Sequence, residues 1–568
     1  MIEAIYEFGK LINKGGNPIP LEKIDAEYLV ILDIDDNGHL KSIELTRNFS
    51  AFENKLLHKP VTGGRNPPNF SPTLRLMDVR KSIKNLNNIL KSLKRFKKSV
   101  PLLQGLEELT NRIRDKLIES GLLKPNQKKT GVKQKVFITL RINGRFIGEN
   151  SELNEAFEKF YLSKLGKLKK GICSLCGKET LVSGERSPFT FYTLDKIGYL
   201  SGLSKKYHFR GFPICAECYK VLDKAKLELV KHNFKLVSGI EYRLIPDVIR
   251  TEIDHELIEN IFDLHYLKSK LKLKREEKQK LSDVEEDILD YLKELEDYLT
   301  FHFVFIEKNQ SQEIIRLHIQ DVYPSRIKEL FEAKSYVERK LDLKEFTFKT
   351  PGQFFWKWDK ESKNRDLQKY FLELLDRIFR KIPYSETLLV KFLLNGIRQA
   401  YKEELKGEKN RIFYKSLDAL ASFLFVKATT EGTMPDIRND DIRSLLESLS
   451  LLKLPEAKGL FLLGVLTQRL LDKQAGSREG SKPFLKKLSG FKLNERGFKK
   501  LMPELREKME AYEVFGKFER ELFDLASEYF AQSNNPWKLS LEEMNFVFAV
   551  GMGMKGKIYK KHFNNGED

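Results

Sequence analysis

The chain has 568 residues, 41% hydrophobic and 11% aromatic, which suffices for several buried cores and excludes a disordered chain. Lysine plus arginine exceed aspartate plus glutamate by 101 to 81, a net charge of +20 with an isoelectric point near 9.3. That excess favours polyanions as partners, nucleic acid first, although a Lys- and Glu-rich chain also carries charge on a merely solvated surface.

At about 150 residues per domain the length suggests roughly three or four domains. The opening stretch carries Glu3 and Glu7 inside an apolar pattern, unlike a secretory signal. The most apolar run, Gly459 to Leu466, is far shorter than the ~20 residues a membrane span needs, so no membrane role is expected. Four cysteines, all between residues 173 and 218, point to the cytoplasm and to metal rather than to a disulfide framework.

In chain order, Ile2, Ile5, Tyr6, Leu11 and Ile12 predict a short amphipathic helix. A hairpin follows, with strands Tyr28–Ile34 and Leu40–Thr46 joined at Asp36-Asn37-Gly38. A Gly/Pro/Asn-rich loop at Gly63–Pro72 leads into a long helical stretch, Leu74 to Ile118, interrupted near Pro101. A second hairpin runs from Val136–Ile142 through Asn143-Gly144 to Arg145–Ile147. Residues 250–298 are charged and helical, as for a protruding helical hairpin, and Phe301–Glu307 with Glu313–Gln320 alternate like paired strands. Beyond residue 365 strand signals vanish. Phe371–Ile378, Leu388–Leu405, Ile412–Val426, Leu460–Leu471, Glu504–Phe530 and Leu541–Val550 carry helical apolar spacing. The expected class is therefore a multidomain α+β protein: an N-terminal α/β domain (1–150), a four-cysteine zinc module (151–235), a mixed helix/β-hairpin region (236–364) and an all-α helical bundle (365–568).

Cys173-Ser174-Leu175-Cys176 and Cys215-Ala216-Glu217-Cys218 are two CxxC knuckles with 38 residues between them. Each places two thiolates where they can ligate one ion, and two together give the closed tetrahedral set of structural Zn²⁺. A redox pair needs only one CxxC, and unrelated thiols would not fall into two matched pairs. Four thiolates leave no open position for a catalytic water. Loss of one ligand should unfold the module.

Between Arg80 and Lys98 lie Arg80, Lys81, Lys84, Lys91, Lys94, Arg95, Lys97 and Lys98, and no acid. Leu86, Ile89, Leu90, Leu93 and Phe96 supply an apolar face, so a basic amphipathic helix docks on the protein and presents cations to phosphate. Within the zinc module Lys205, Lys206 and Arg210 stand beside Tyr207 and Phe209, a mix suited to gripping a backbone and stacking on a base. The Lys-rich 268–280 is diluted by Glu276 and Glu277 and reads as solvated, and Phe354-Phe355-Trp356-Lys357-Trp358 reads as packed core.

Enzymatic signatures are missing. There is no GxxxxGK[ST] loop, no GxSxG elbow and no His-Asp dipeptide, and His255-Glu256 has Glu259 where a zincin needs its second histidine. Gly15-Gly16 and Gly63-Gly64 lack the following acids of a polymerase-type site. No enzyme activity is expected.

Several stretches together resemble the large subunit of type I-B CRISPR Cascade. They are Met1-Ile2-Glu3-Ala4-Ile5-Tyr6, the Ile142-Asn143-Gly144 turn, the first knuckle with Gly177, and Phe191-Tyr192-Thr193-Leu194-Asp195-Lys196-Ile197-Gly198. Phe212-Pro213-Ile214-Cys215 with Cys218, Asp321-Val322-Tyr323-Pro324-Ser325-Arg326 and Gly459–Gly464 continue the likeness. The paired knuckles with Asp195-Lys196 between them are its most specific part. The resemblance implies a subunit that joins a crRNA-bound backbone and recognises the short motif flanking the target, the PAM. It then aids duplex opening, holds the displaced strand and recruits the helicase–nuclease. It also implies that residues 434–568, with 23 basic and 20 acidic residues, are small-subunit-like, and Met434 offers a start for making them separately. Competing readings are a zinc-ribbon RNA- or DNA-binding protein outside CRISPR and a metal-dependent nuclease. No PAM-reading residue is legible.

Overall fold

The computed structural model describes residues 1–12, 19–22, 24–59, 71–130, 135–189, 191, 200–231, 234–235, 241–248, 299–309, 312–347, 349–355, 367–408, 411–434, 436–437, 441–477 and 480–564. The helical hairpin expected within 250–298, the Lys-rich 268–280, Asp195-Lys196, Trp356 and Trp358 lie outside them. By its contacts the chain forms two compact units: Met1–Asn233 with Arg243–Val248 and Ile306–Ile315, and Phe234–Tyr242, Ile249–Phe305 and Arg316–Asp568.

The first unit opens with helix α1 (Ile2–Leu11), followed by strands β1 (Tyr28–Ile34) and β2 (Leu40–Thr46). Their turn is fixed locally: Asp35 Oδ1 accepts from the amides of Asn37 and His39, each at 2.9 Å. Gly38 has φ +89 and lies so close to the Leu102 carbonyl that a Cβ would collide with it. β3 (Leu74–Arg75), β4 (Val136–Ile142) and β5 (Arg145–Phe146) complete a sheet in the order β2-β1-β4-β3, with β5 paired to β4. Asn143 and Gly144 both take positive φ in the β4–β5 turn, as a two-residue I′ hairpin requires.

β1 and β4 run parallel, Tyr28 opposite Val136 through Ile34 opposite Ile142. A parallel pair needs a long crossover, and helices α2 (Val79–Lys94) and α3 (Leu106–Glu119) lie within it. The alternation of a strand then divides β1: Val30, Leu32 and Ile34 pack with Ile83, Leu86, Leu90 and Ile113, whereas Leu29 and Ile31 pack with Phe137 and Phe146. The expected helix from Leu74 thus begins at Val79, because Leu74 pairs with Ile138 in the sheet. Helix α4 (Ser151–Leu162) buries Leu153, Phe157 and Phe160 in this same core. Although it was assigned to the zinc module by sequence, its apolar stripe packs into the N-terminal core.

The cysteine module follows: β6 (Lys169–Ile172), β7 (Glu179–Ser183) and β8 (Ile214–Cys215) in the order β6-β7-β8, then helix α5 (Ala216–Lys231). A further four-stranded sheet has the order β12-β11-β10-β9, from β9 (Phe234–Lys235), β10 (Glu241–Val248), β11 (Leu299–Asn309) and β12 (Gln312–Val322).

The second unit is dominated by helices: α6 (Pro324–Lys340), α7 (Gln368–Arg380), α8 (Glu386–Leu405), α9 (Arg411–Glu431), α10 (Ile442–Ser448), α11 (Pro455–Ser477), α12 (Glu495–Ala511), α13 (Lys517–Gln532) and α14 (Leu541–Asn564). Their shared core starts well before residue 365, taking in Leu330, Val337, Phe346, Phe354 and Phe355. Phe354 and Phe355 are core, as their density of rings suggested. The single helix expected over Glu504–Phe530 is two, broken at Tyr512–Gly516, where Glu513 has φ +55. α11 is buried nearly all round. A Cβ on Gly464 would sit 2.0 Å from the Phe548 carbonyl oxygen, and one on Gly551 would sit 2.0 Å from that of Phe461. α11 and α14 thus meet backbone to backbone, a distance only glycine permits.

Candidate metal centre and basic ridge

The two knuckles meet because β7 pairs with both β6 and β8. Lys169 lies opposite Val182 on one side, and Val182 lies opposite Cys215 on the other. The first knuckle turns between β6 and β7, where Gly177 donates to the Cys173 carbonyl at 3.0 Å and takes φ +70. The second runs from the end of β8 into the first turn of α5. Ser174 donates to the Pro213 carbonyl at 2.8 Å, tying the two turns directly.

All four sulfurs lie within 4.8 Å of one another, and none is in a disulfide. Cys176 Sγ and Cys215 Sγ are 3.9 Å apart, and the Cys215 amide donates to Cys173 Sγ at 3.4 Å. Zn–S bonds of about 2.3 Å in a tetrahedron place sulfurs about 3.8 Å apart, so the quartet fits a zinc-sized ion. Cys173, Cys176, Cys215 and Cys218 would hold it and close its coordination. Such an ion supplies cross-linking, with no position left for substrate. A hydrogen bond with the Cys218 thiol holds the Cys215 thiol down to about 5, while burial pushes Cys176 up.

A neighbour invisible in the knuckle motif stands beside these ligands. The Tyr6 hydroxyl of α1 lies 3.4 Å from Cys218 Sγ. Burial, followed by that contact, raises the phenol well above its ordinary range, so it stays a donor. The module is also anchored below: Asp223 of α5 accepts from Tyr161 at 2.5 Å and pairs with Lys59 at 2.9 Å, both partners nearly buried.

The basic helix is α2 with the turn beyond it. Asp78 caps it, Oδ1 accepting from the Lys81 amide at 3.0 Å. Ile83, Leu86, Leu90 and Leu93 are buried, each contributing about 1.5–3 kcal/mol of burial. Arg80, Lys81, Lys84, Lys91, Lys94, Arg95 and Lys98 are exposed. Among the described residues none of these seven makes an ion pair, whereas the half-buried Lys97 pairs with Glu152 at 2.9 Å. Sixteen residues at 1.5 Å each make a ridge about 24 Å long, comparable to roughly seven phosphate steps of one strand.

In the module Lys205, Lys206 and Arg210 are exposed as well. The rings beside them already carry cations: Arg210 lies 4.5 Å from the Tyr207 centroid, and Lys169 lies 4.4 Å from that of Phe209. One face of each ring is thus occupied, which leaves charge rather than stacking as the main asset there. A further feature without a sequence motif is His302, whose Nδ1 is 3.1 Å from Nε2 of His318 on the neighbouring strand. Strand alternation puts both on one face, a signal that appears only once the pairing is known.

Fold and site together define an α+β protein with a four-cysteine module whose sulfurs are close enough to hold one metal ion, and with a cationic helix on its N-terminal unit. The chain belongs to the CRISPR-associated TM1802 family: its N-terminal domain model matches residues 1–160, the central domain 170–322 and the C-terminal domain 346–565. The curated proteins hold no match to it. Among the described residues no helix is long and apolar enough to cross a membrane.

Proposed function

We propose that the chain is the non-catalytic large subunit of a crRNA-guided type I CRISPR surveillance complex, of the I-B kind. Guide pairing supplies sequence specificity in such a complex, and the protein supplies grip beside the flanking motif and on the displaced strand. The observation that carries the proposal is the α2 ridge: seven exposed cations, without ion pairs among the described residues, five on a helix whose other face is locked into the core and two in the turn beyond it, in a chain of a CRISPR-associated family. Cations held outward in this way neutralise phosphates without competition from neighbouring carboxylates. Its partners are the crRNA-bound backbone subunits, target double-stranded DNA, the displaced strand and the helicase–nuclease, in the cytoplasm. Zinc serves it as a staple. Residues 434–568 act as the small subunit, and Met434 lies exposed in the link between α9 and α10, where a separate product would begin.

The experiment is reconstitution with backbone subunits and guide RNA. Complexes containing this chain should bind target duplex, while those without it lose that binding. DNA cleavage should require the added helicase–nuclease. Cleavage by this chain alone with Mg²⁺ or Mn²⁺, abolished by a carboxylate substitution, would support a nuclease instead.

A further inference from the structure

We propose that the Tyr6 hydroxyl is an outer-shell hydrogen-bond donor to the Cys218 sulfur of the metal centre, so that the bound ion fastens helix α1 to the cysteine module. The inference rests on the four-cysteine site holding a metal, and it assigns a role to a residue 212 positions away from the ligand it touches.

The geometry follows from how two helices meet. On α1, Ala4, Ile5, Phe8 and Gly9 are buried, and Tyr6 stands one turn before Lys10, whose ammonium lies 5.2 Å from its ring centroid. On α5, Cys218, Val221 and Ala225 follow at three and four residues and share one face. A Cβ at Gly9 would sit 2.7 Å from Val221 Cγ1 and 3.2 Å from Ala225 Cβ, so α1 lies flush against that face. Gly9 permits the close approach, and Tyr6, three residues earlier on α1, then reaches the sulfur one turn earlier on α5.

Chemistry sets the direction of the bond. A metal-bound cysteine is a thiolate and has no proton to give, so the tyrosine is the donor and the sulfur the acceptor. Donation withdraws charge from the thiolate, offsets the repulsion among four anionic ligands around one dication and shields that sulfur from protonation. Such partners orient ligands and tune metal affinity. The coupling runs both ways: an ion that fixes Cys218 also fixes the acceptor that holds α1.

The test uses the full-length protein, wild type and Tyr6→Phe, which keeps the ring and removes the hydroxyl. Both are expected to carry zinc, with Tyr6→Phe releasing it to a chromophoric chelator roughly tenfold faster. In the cobalt-loaded proteins the sulfur-to-metal charge-transfer band should move to longer wavelength in Tyr6→Phe, because a thiolate lone pair without its hydrogen bond lies higher in energy. A merely structural tyrosine would not move that band. In the wild type alone, hydrogen exchange of the α1 amides should accelerate once the metal is chelated. Zinc-loaded wild type with equal release rates and superimposable cobalt spectra overturns the role of Tyr6 and leaves the metal site standing. Unchanged α1 exchange on chelation overturns the fastening. Wild-type protein that binds neither zinc nor cobalt overturns both the inference and the site it rests on.

Discussion

Cys176 and Cys215 are 39 residues apart in the chain, yet their sulfurs lie 3.9 Å from each other. Among the described residues, β7, paired to a strand from each knuckle, and hydrogen bonds of the turns bring them there. An ion held between four thiols crowded this closely would add its binding free energy to the stability of the module. Cys176→Ser or Cys215→Ser is expected to abolish bound zinc by elemental analysis. Thermal unfolding should fall by several degrees, and proteolysis should open the stretch between residues 169 and 231. Full metal content in either variant would remove the quartet as the site.

The α2 ridge predicts a salt signature. Reversing Lys94, Arg95 and Lys98 to glutamate should weaken DNA binding, with the slope of log affinity against log salt falling by about 0.9 for each phosphate no longer neutralised. Lys97→Glu should add less, because Lys97 already pairs with Glu152. Thermal stability should stay nearly constant, since the reversed side chains are exposed. An unchanged slope would dismiss the ridge as a DNA-binding surface.

His318 predicts an acid response. Burial first, then the neighbouring His302 and Arg380, hold its pKa down at about 4, against an ordinary value near 6.5. The folded chain therefore binds fewer protons than the unfolded one between those values. The associated stability is complete above pH 6.5 and is lost as pH falls toward 4. His318 is only half-buried, so solvent screening limits the loss to on the order of 1 kcal/mol. Denaturation midpoints at pH 7 and pH 4.5 should differ less in His318→Gln than in wild type. An equal difference in the two proteins would rule His318 out.

The 434–568 product is expected to be sticky when made alone. α14 lies against α9 so closely that a Cβ on Gly553 would meet the Leu417 amide at 2.7 Å, and Ser416, Phe423 and Phe546 share that buried layer. Removing α9 uncovers this face. The isolated segment should bind a hydrophobic dye or self-associate in light scattering, and the full chain should do neither. A monomeric, dye-silent segment would show that its own helices close the core.

Legibility from sequence tracked the range of the interaction. β1 and β2 begin and end where alternation and the Asp36-Asn37-Gly38 turn put them, because both signals are local. The knuckles were visible because metal ligation fixes spacing within four residues. The parallel pairing of β1 with β4 spans about a hundred residues and left no local trace. β3 was hidden inside a helical apolar pattern because two residues are too few to show alternation. The break between α12 and α13 depends on Glu513 at positive φ, with no proline or glycine at that position to announce it. Tyr6 was legible only as one apolar position of a helix, since its partner sulfur is brought close by the packing of α1 on α5.

The most direct measurement of the proposed role is selection from duplexes that carry the guide-matched target beside randomised flanks, using the complex reconstituted with and without this chain. Its presence should enrich one short motif immediately beside the target, and charge reversal of the α2 ridge should lower the recovered DNA without changing the motif. Equal recovery of all flanks, or the same motif enriched when the chain is left out, would contradict a large subunit that recognises the flanking sequence.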